Sequence, residues 1–85
     1  MGTRVTVKLY ALLGQYLPPG ATDNQVELEV AEGSTLEDVF ARCNLPRKSC
    51  HLVLVNGMYV EPSRRHQHTL QNNDALAVWP PIAGG

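Results

Sequence analysis

Ala75-Leu76-Ala77-Val78-Trp79-Pro80-Pro81-Ile82-Ala83-Gly84-Gly85 is the stretch that decides how this chain is read. It starts as an apolar strand and ends, at the last residue of the sequence, in two glycines. Two prolines stand between. Proline has a fixed φ and no backbone N–H, so Pro80-Pro81 stops a sheet ladder and favours an extended polyproline path. The segment from Pro80 to Gly85 reaches about 20 Å when extended, at about 3.3 Å per residue. Its only charge is a terminal carboxylate. A flexible linker would be rich in Gly and Ser and would lack the proline brace. Gly84 and Gly85 set no side chain beside that carboxylate, so it can enter a narrow slot.

Upstream of the last strand, residues 63–74 are polar and read as irregular, and Pro62 ends a short strand at Met58-Tyr59-Val60. Asn56-Gly57 is a type I′ turn signal, so this short strand returns against Leu52-Val53-Leu54-Val55. The latter run is continuously apolar, as in a central strand with both faces at least partly covered. Ser34-Thr35-Leu36-Glu37 fits a capping box, with Ser34 as N-cap and Glu37 reaching back. Leu36, Val39, Phe40 and Cys43 then form one apolar stripe at i, i+3, i+4 and i+7. Asn44 and Pro46 stop the pattern, so one helix of about ten residues is predicted near 34–44. At the start of the chain, Val5, Val7 and Leu9 alternate with Thr6, Lys8 and Tyr10, a half-buried strand over about residues 3–11. Leu12 to Leu17 is ambiguous, and Pro18-Pro19-Gly20 opens a loop through Asn24. Val26, Leu28 and Val30 alternate with Glu27 and Glu29, which predicts a second strand antiparallel to the first with its acidic residues in water.

The order is strand, strand, helix, strand, short strand, strand. One helix with one apolar face covers one face of a sheet, and the crossover through it favours a mixed sheet. The class is α+β, with four to five strands and one principal helix. The 85 residues make one small domain, at 44% hydrophobic composition and a net charge of −1. That charge leaves no electrostatic footprint for nucleic acid. No apolar run is long enough to span a bilayer, so no membrane role is expected. Met1-Gly2-Thr3-Arg4 leads straight into a strand pattern without a signal peptide, and the expected location is cytoplasmic. Cys43 and Cys50 lack metal spacing, and His51, His66 and His68 do not complete a site; two free thiols and no metal are expected. No nucleophile–base pair, phosphate loop or paired carboxylates stand out, so the chain is not expected to be an enzyme by itself.

This order, with a strand running into a terminal Gly-Gly, resembles the ubiquitin-like β-grasp fold, and within it the MoaD/ThiS family of sulfur carriers. Pro80-Pro81-Ile82-Ala83-Gly84-Gly85 resembles the tail of the small subunit of molybdopterin synthase. Val55-Asn56-Gly57 and Leu70-Gln71-Asn72-Asn73-Asp74-Ala75-Leu76 resemble the internal landmarks. The family usually has Gly-Asp where this chain has Asn73-Asp74, and Asn tolerates the left-handed backbone that Gly would supply. The short helix is closer to the thiamine-type carrier, which usually lacks the Pro-Pro brace.

The resemblance implies a β-grasp domain over residues 1–79 and an extended tail over 80–85. It implies that a ubiquitin-activating-like enzyme uses ATP to adenylate the Gly85 carboxylate, with Gly84 slim enough to follow it into the slot. A sulfur donor protein then leaves a Gly85 thiocarboxylate, which a sulfur-accepting synthase subunit uses. ATP belongs to the activating partner, and the chain itself is expected to hold no cofactor. Molybdenum or tungsten pterin synthesis is the leading pathway. Sulfur supply to thiamine, cysteine or transfer RNA stays open, as do a protein modifier joined to lysine and a non-covalent binding module. Strand parity sends Leu76 and Val78 toward the helix, which puts Trp79 and Tyr10 on the opposite face. The resemblance makes Tyr10, Trp79, Pro80, Pro81, Ile82 and Ala83 partner-binding residues. Leu52 and Leu54, or else Val53 and Val55, join that face. Arg47-Lys48 and Arg64-Arg65 are either steering charges or a solvated surface.

Overall fold

A computed structural model describes residues 2–81. Five strands form one sheet: β1 (Thr3–Leu9), β2 (Gln25–Val30), β3 (Leu52–Val55), β4 (Met58–Tyr59) and β5 (Ala75–Trp79), in the spatial order β2-β1-β5-β3-β4. β1 is antiparallel to β2 and parallel to β5, while β3 is antiparallel to both β5 and β4. It follows that β2 and β3, the strands joined through the helix, run in the same direction with β1 and β5 between them. This is the mixed sheet with one principal helix that the sequence predicts.

Alternation fixes the two faces. Val5, Val7, Leu9, Leu28, Val30, Val53, Val55, Leu76 and Val78 are all buried, and so is the helical stripe Leu36, Val39, Phe40 and Cys43 that seals them. Glu27 and Glu29 face water, as expected. At the β3–β4 hairpin, Asn56 and Gly57 have φ of 53° and 83°, the two left-handed residues that a type I′ turn requires. Ala11–Tyr16, ambiguous in sequence, is a 3₁₀ turn that buries Leu13.

The helix α1 (Leu36–Arg42) is seven residues long, shorter and later than the expected 34–44. Its N-cap is Thr35 rather than Ser34. Asp38 N–H donates to Thr35 Oγ1 (3.3 Å), and Thr35 N–H donates to Asp38 Oδ2 (2.9 Å), a complete capping box one residue along from the expected one. A long-range pairing sets this register. Thr35 bridges Thr69, Leu70 N–H donates to Ser34 O, and Leu36 N–H donates to His68 O. These bonds hold the chain extended through Thr35 (φ −97°, ψ 173°), so helical geometry begins at Leu36. The helix is capped at Cys43, and Asn44, the stop that the sequence predicts, follows in the left-handed conformation (φ 60°). Thr35→Ala is expected to destabilise the domain by about 1 kcal/mol. Ser34→Ala is expected to change stability by less than about 0.5 kcal/mol, because only the Ser34 backbone is engaged. Urea denaturation of the two variants separates the registers; equal losses would contradict the cap assigned here.

Residues 63–74 are more ordered than a polar composition predicts. Pro62–Arg64 is a 3₁₀ turn and Leu70 is buried. Asp74, also buried, accepts from Asn56 Nδ2 (2.8 Å) and from Gln71 N–H (2.8 Å), while Asn56 Oδ1 accepts from Ala75 N–H (2.9 Å). These bonds stitch the hairpin turn to the start of β5. Asn73 takes the left-handed backbone (φ 73°) that the sequence assigns to it.

Candidate functional site

Leu9 and Val78 are paired in the parallel β1–β5 ladder, and both point into the core. The next residue on each strand must therefore point the other way. Those residues are Tyr10 and Trp79. Two rings in register on neighbouring strands are held about 4.8 Å apart by the sheet spacing, and here they stack with centroids 4.2 Å apart and planes within 1°. Such a stack contributes about 0.5–1.5 kcal/mol beyond area burial. Both residues stay half-buried, because the helix covers the other face of the sheet.

The same ladder settles the parity left open by the β3 sequence. Leu52 lies opposite Trp79 and Leu54 opposite Ala77, whereas Val53 and Val55 are core. Leu54 is in turn paired with Tyr59, which is 58% exposed. Uncovered among the described residues, the face turned away from the core thus carries an aromatic and aliphatic band: Tyr10, Trp79, Ala77, Leu52, Leu54 and Tyr59. Toward β2 it becomes polar, with Arg4 and Glu27 at 4.0 Å on the surface. Sequence reasoning missed Tyr59. The signal was present, since pairing Val55 with Met58 across the Asn56-Gly57 turn sets Tyr59 beside Leu54.

The root of the tail is fixed from both sides. Tyr10 N–H donates to Val78 O (3.0 Å), and His51 N–H donates to Trp79 O (3.0 Å). Pro80, half-buried, and Pro81, exposed, then lead away from the end of β5 without a donor to extend either ladder. Ile82, Ala83, Gly84 and Gly85 lie outside the described residues.

The basic pairs divide. Arg47 forms a 2.6 Å ion pair with Glu37 at the surface. Arg65 is no steering charge: it is buried, following the turn at Pro62–Arg64, and donates to the backbone carbonyls of Val60, Cys50 and His51. Cys43 and Cys50 are free and buried. Burial raises both thiols above the ordinary value of 9.0, with Arg42 opposing at Cys43 and Arg65 opposing at Cys50. Both therefore stay protonated and poorly nucleophilic near pH 7. No described helix is long and apolar enough to cross a membrane.

A family model described as the ThiS family matches residues 12–85. Among solved structures, the chain is similar to the Haloferax volcanii HVO 2177 protein, with a TM-score of 0.76 at 22% identity over 99% of this chain and 88% of that one. It is similar to the putative molybdopterin converting factor, subunit 1, of Pyrococcus furiosus (TM-score 0.66, 23% identity, 94% of this chain and 99% of that one). It is also similar to the small archaeal modifier protein 1 of Methanosarcina acetivorans (TM-score 0.67, 21% identity, 100% and 99%). At these identities the structural likeness establishes the fold, the ubiquitin-like β-grasp. No curated protein matches the chain.

Proposed function

The chain belongs to the ThiS family, and from that premise we propose that it is a sulfur carrier working through its C-terminal carboxylate. The observation that carries the reading is the root of the tail. β5 ends at Trp79, beside an uncovered apolar band, and continues through Pro80-Pro81 into the sequence Ile82-Ala83-Gly84-Gly85. The band docks an activating enzyme, and the braced tail delivers Gly85 to its ATP site.

The chemistry follows from what a carboxylate lacks. It is a poor acyl donor. Attack of a Gly85 carboxylate oxygen on the α-phosphate of ATP expels pyrophosphate and gives an acyl-adenylate, a reactive mixed anhydride. A hydrosulfide equivalent from a sulfur donor protein then attacks the acyl carbon. AMP departs with the oxygen, and a terminal thiocarboxylate remains. Its sulfur is the nucleophile that a synthase subunit takes up. The chain is a co-substrate here, and its partners supply the catalytic groups. The proline-braced tail, together with the likeness to the Pyrococcus protein, favours molybdenum or tungsten pterin synthesis as the destination. The likeness to the Methanosarcina modifier protein supports a second reading, in which the activated Gly85 acyl group is passed to a lysine amine of another protein.

Docking is tested on the uncovered face. Trp79→Ala and Tyr10→Ala are each expected to weaken binding to the cognate activating enzyme by about 2 kcal/mol, the scale of a central interface anchor. Calorimetric titration measures this, with a thermal melt of each variant alongside. Losses of stability that track the losses of binding would make the two rings structural and remove the docking role.

A further inference from the structure

Arg65 is 4% exposed, the most buried charged side chain among the described residues, and among those residues it has no ion-pair partner. Its guanidinium is spent on backbone. Nε donates to Val60 O (3.2 Å), Nη1 to Cys50 O (2.7 Å) and Nη2 to His51 O (3.3 Å). A buried cation without a counter-ion is costly to desolvate unless hydrogen bonds compensate it. What the cation holds is therefore informative. The shortest bond falls on Cys50 O. That carbonyl and the His51 N–H belong to one planar peptide group, so fixing the oxygen fixes the direction of the N–H. The His51 N–H is the donor to Trp79 O (3.0 Å). Trp79 O belongs in turn to the Trp79–Pro80 peptide, which has no N–H and can be held only by its oxygen. A charge at one end of such a chain polarises and strengthens the next bond.

We propose that Arg65 is a positioning residue for the C-terminal tail. Through the Cys50–His51 peptide it sets the plane of the Trp79–Pro80 peptide, and with it the direction in which the tail leaves the sheet. Its bearing on the reaction rests on the sulfur-carrier reading; its hold on the tail root does not. The three acceptors of Arg65 are carbonyls of Cys50, His51 and Val60, none of them a residue of the band, so docking is expected to stay intact. Only the delivery of the terminus changes, and in an active site a displacement of about 1 Å can cost on the order of 100-fold in rate.

The test uses the full chain with Arg65→Met, which removes the donors, and Arg65→Lys, which keeps charge but loses the fork and serves if the Met variant does not fold. Leu28→Ala, in the core on β2 and away from the tail root, is the control for lost stability. Amide hydrogen exchange by NMR reads the relay directly. The His51 amide is expected to lose protection at least about tenfold more than the Cys43 amide in the same Arg65 variant, whereas in Leu28→Ala the two should fall together. ATP–pyrophosphate exchange with the cognate activating enzyme reads the consequence. In the Arg65 variants kcat is expected to fall about tenfold or more with KM within about twofold, and in Leu28→Ala kcat should stay near the parent's. Parent-like protection of His51, or a kcat loss no larger than that of Leu28→Ala, overturns the proposal. A parent protein inert in exchange sinks the sulfur-carrier reading instead, and the His51 amide still decides whether Arg65 governs the tail root.

Discussion

Phe40→Ala is expected to remove about 3–5 kcal/mol of stability, the range for truncating a buried aromatic ring. Phe40 is 6% exposed and lies one turn along α1 from Leu36, on the stripe that seals the sheet. A helix of seven residues does not stand alone in water; tertiary packing of its apolar face holds it. At about 0.05–0.15 kcal/mol per residue, a domain of this size has only some 4–13 kcal/mol in total. One ring therefore accounts for a large share, and its loss should move the urea midpoint well below the parent's. Urea denaturation followed by far-ultraviolet circular dichroism checks this. A midpoint equal to the parent's would mean that the helix presents a different face to the sheet.

The second large effect is expected at the terminus. Deleting Gly84-Gly85 shortens the reach by about 7 Å at the extended spacing and leaves the acyl carbon short of the activating site. A C-terminal tag turns the Gly85 carboxyl into an internal amide and removes the reacting group. Gly84→Val keeps the carboxylate but widens the chain and restricts its backbone. Each change is expected to abolish ATP–pyrophosphate exchange by the cognate activating enzyme or lower it at least about 100-fold, the scale on which misplaced reacting groups fail. The thermal midpoint should stay within error of the parent's, because the altered residues follow the last strand. Full activity from a tagged protein, with the tag verified intact, would exclude Gly85 as the activated residue.

Much of this fold is legible along the chain because its signals are local. Alternation in 3–9 and 25–30, the stripe 36/39/40/43, the Asn56-Gly57 turn and the stop at Asn44 each depend on neighbours in sequence. The parts that escape depend on distant partners. Ser34-Thr35-Leu36-Glu37-Asp38 contains two overlapping capping boxes, and the bridge from Thr35 to Thr69 chooses the second. Arg64-Arg65 reads as a surface pair until the turn after Pro62 buries one member and leaves the other outside. Of the candidate site, Tyr10 and Trp79 were legible by parity, and their stacking follows from the parallel register of β1 and β5. The choice between Leu52/Leu54 and Val53/Val55 was not legible, since a wholly apolar strand carries no parity signal until its partner is known.

The central claim is that the Gly85 carboxylate becomes a thiocarboxylate, and the intact mass of the chain isolated from its native host tests it most directly. Replacement of the terminal oxygen by sulfur adds about 16 Da, and fragmentation should place that gain on Gly85. A population carrying this increment, reduced when the activating enzyme is deleted, is the result expected. An unmodified mass in cells that actively produce the thiolated product, or a gain that fragmentation places elsewhere in the chain, would contradict it.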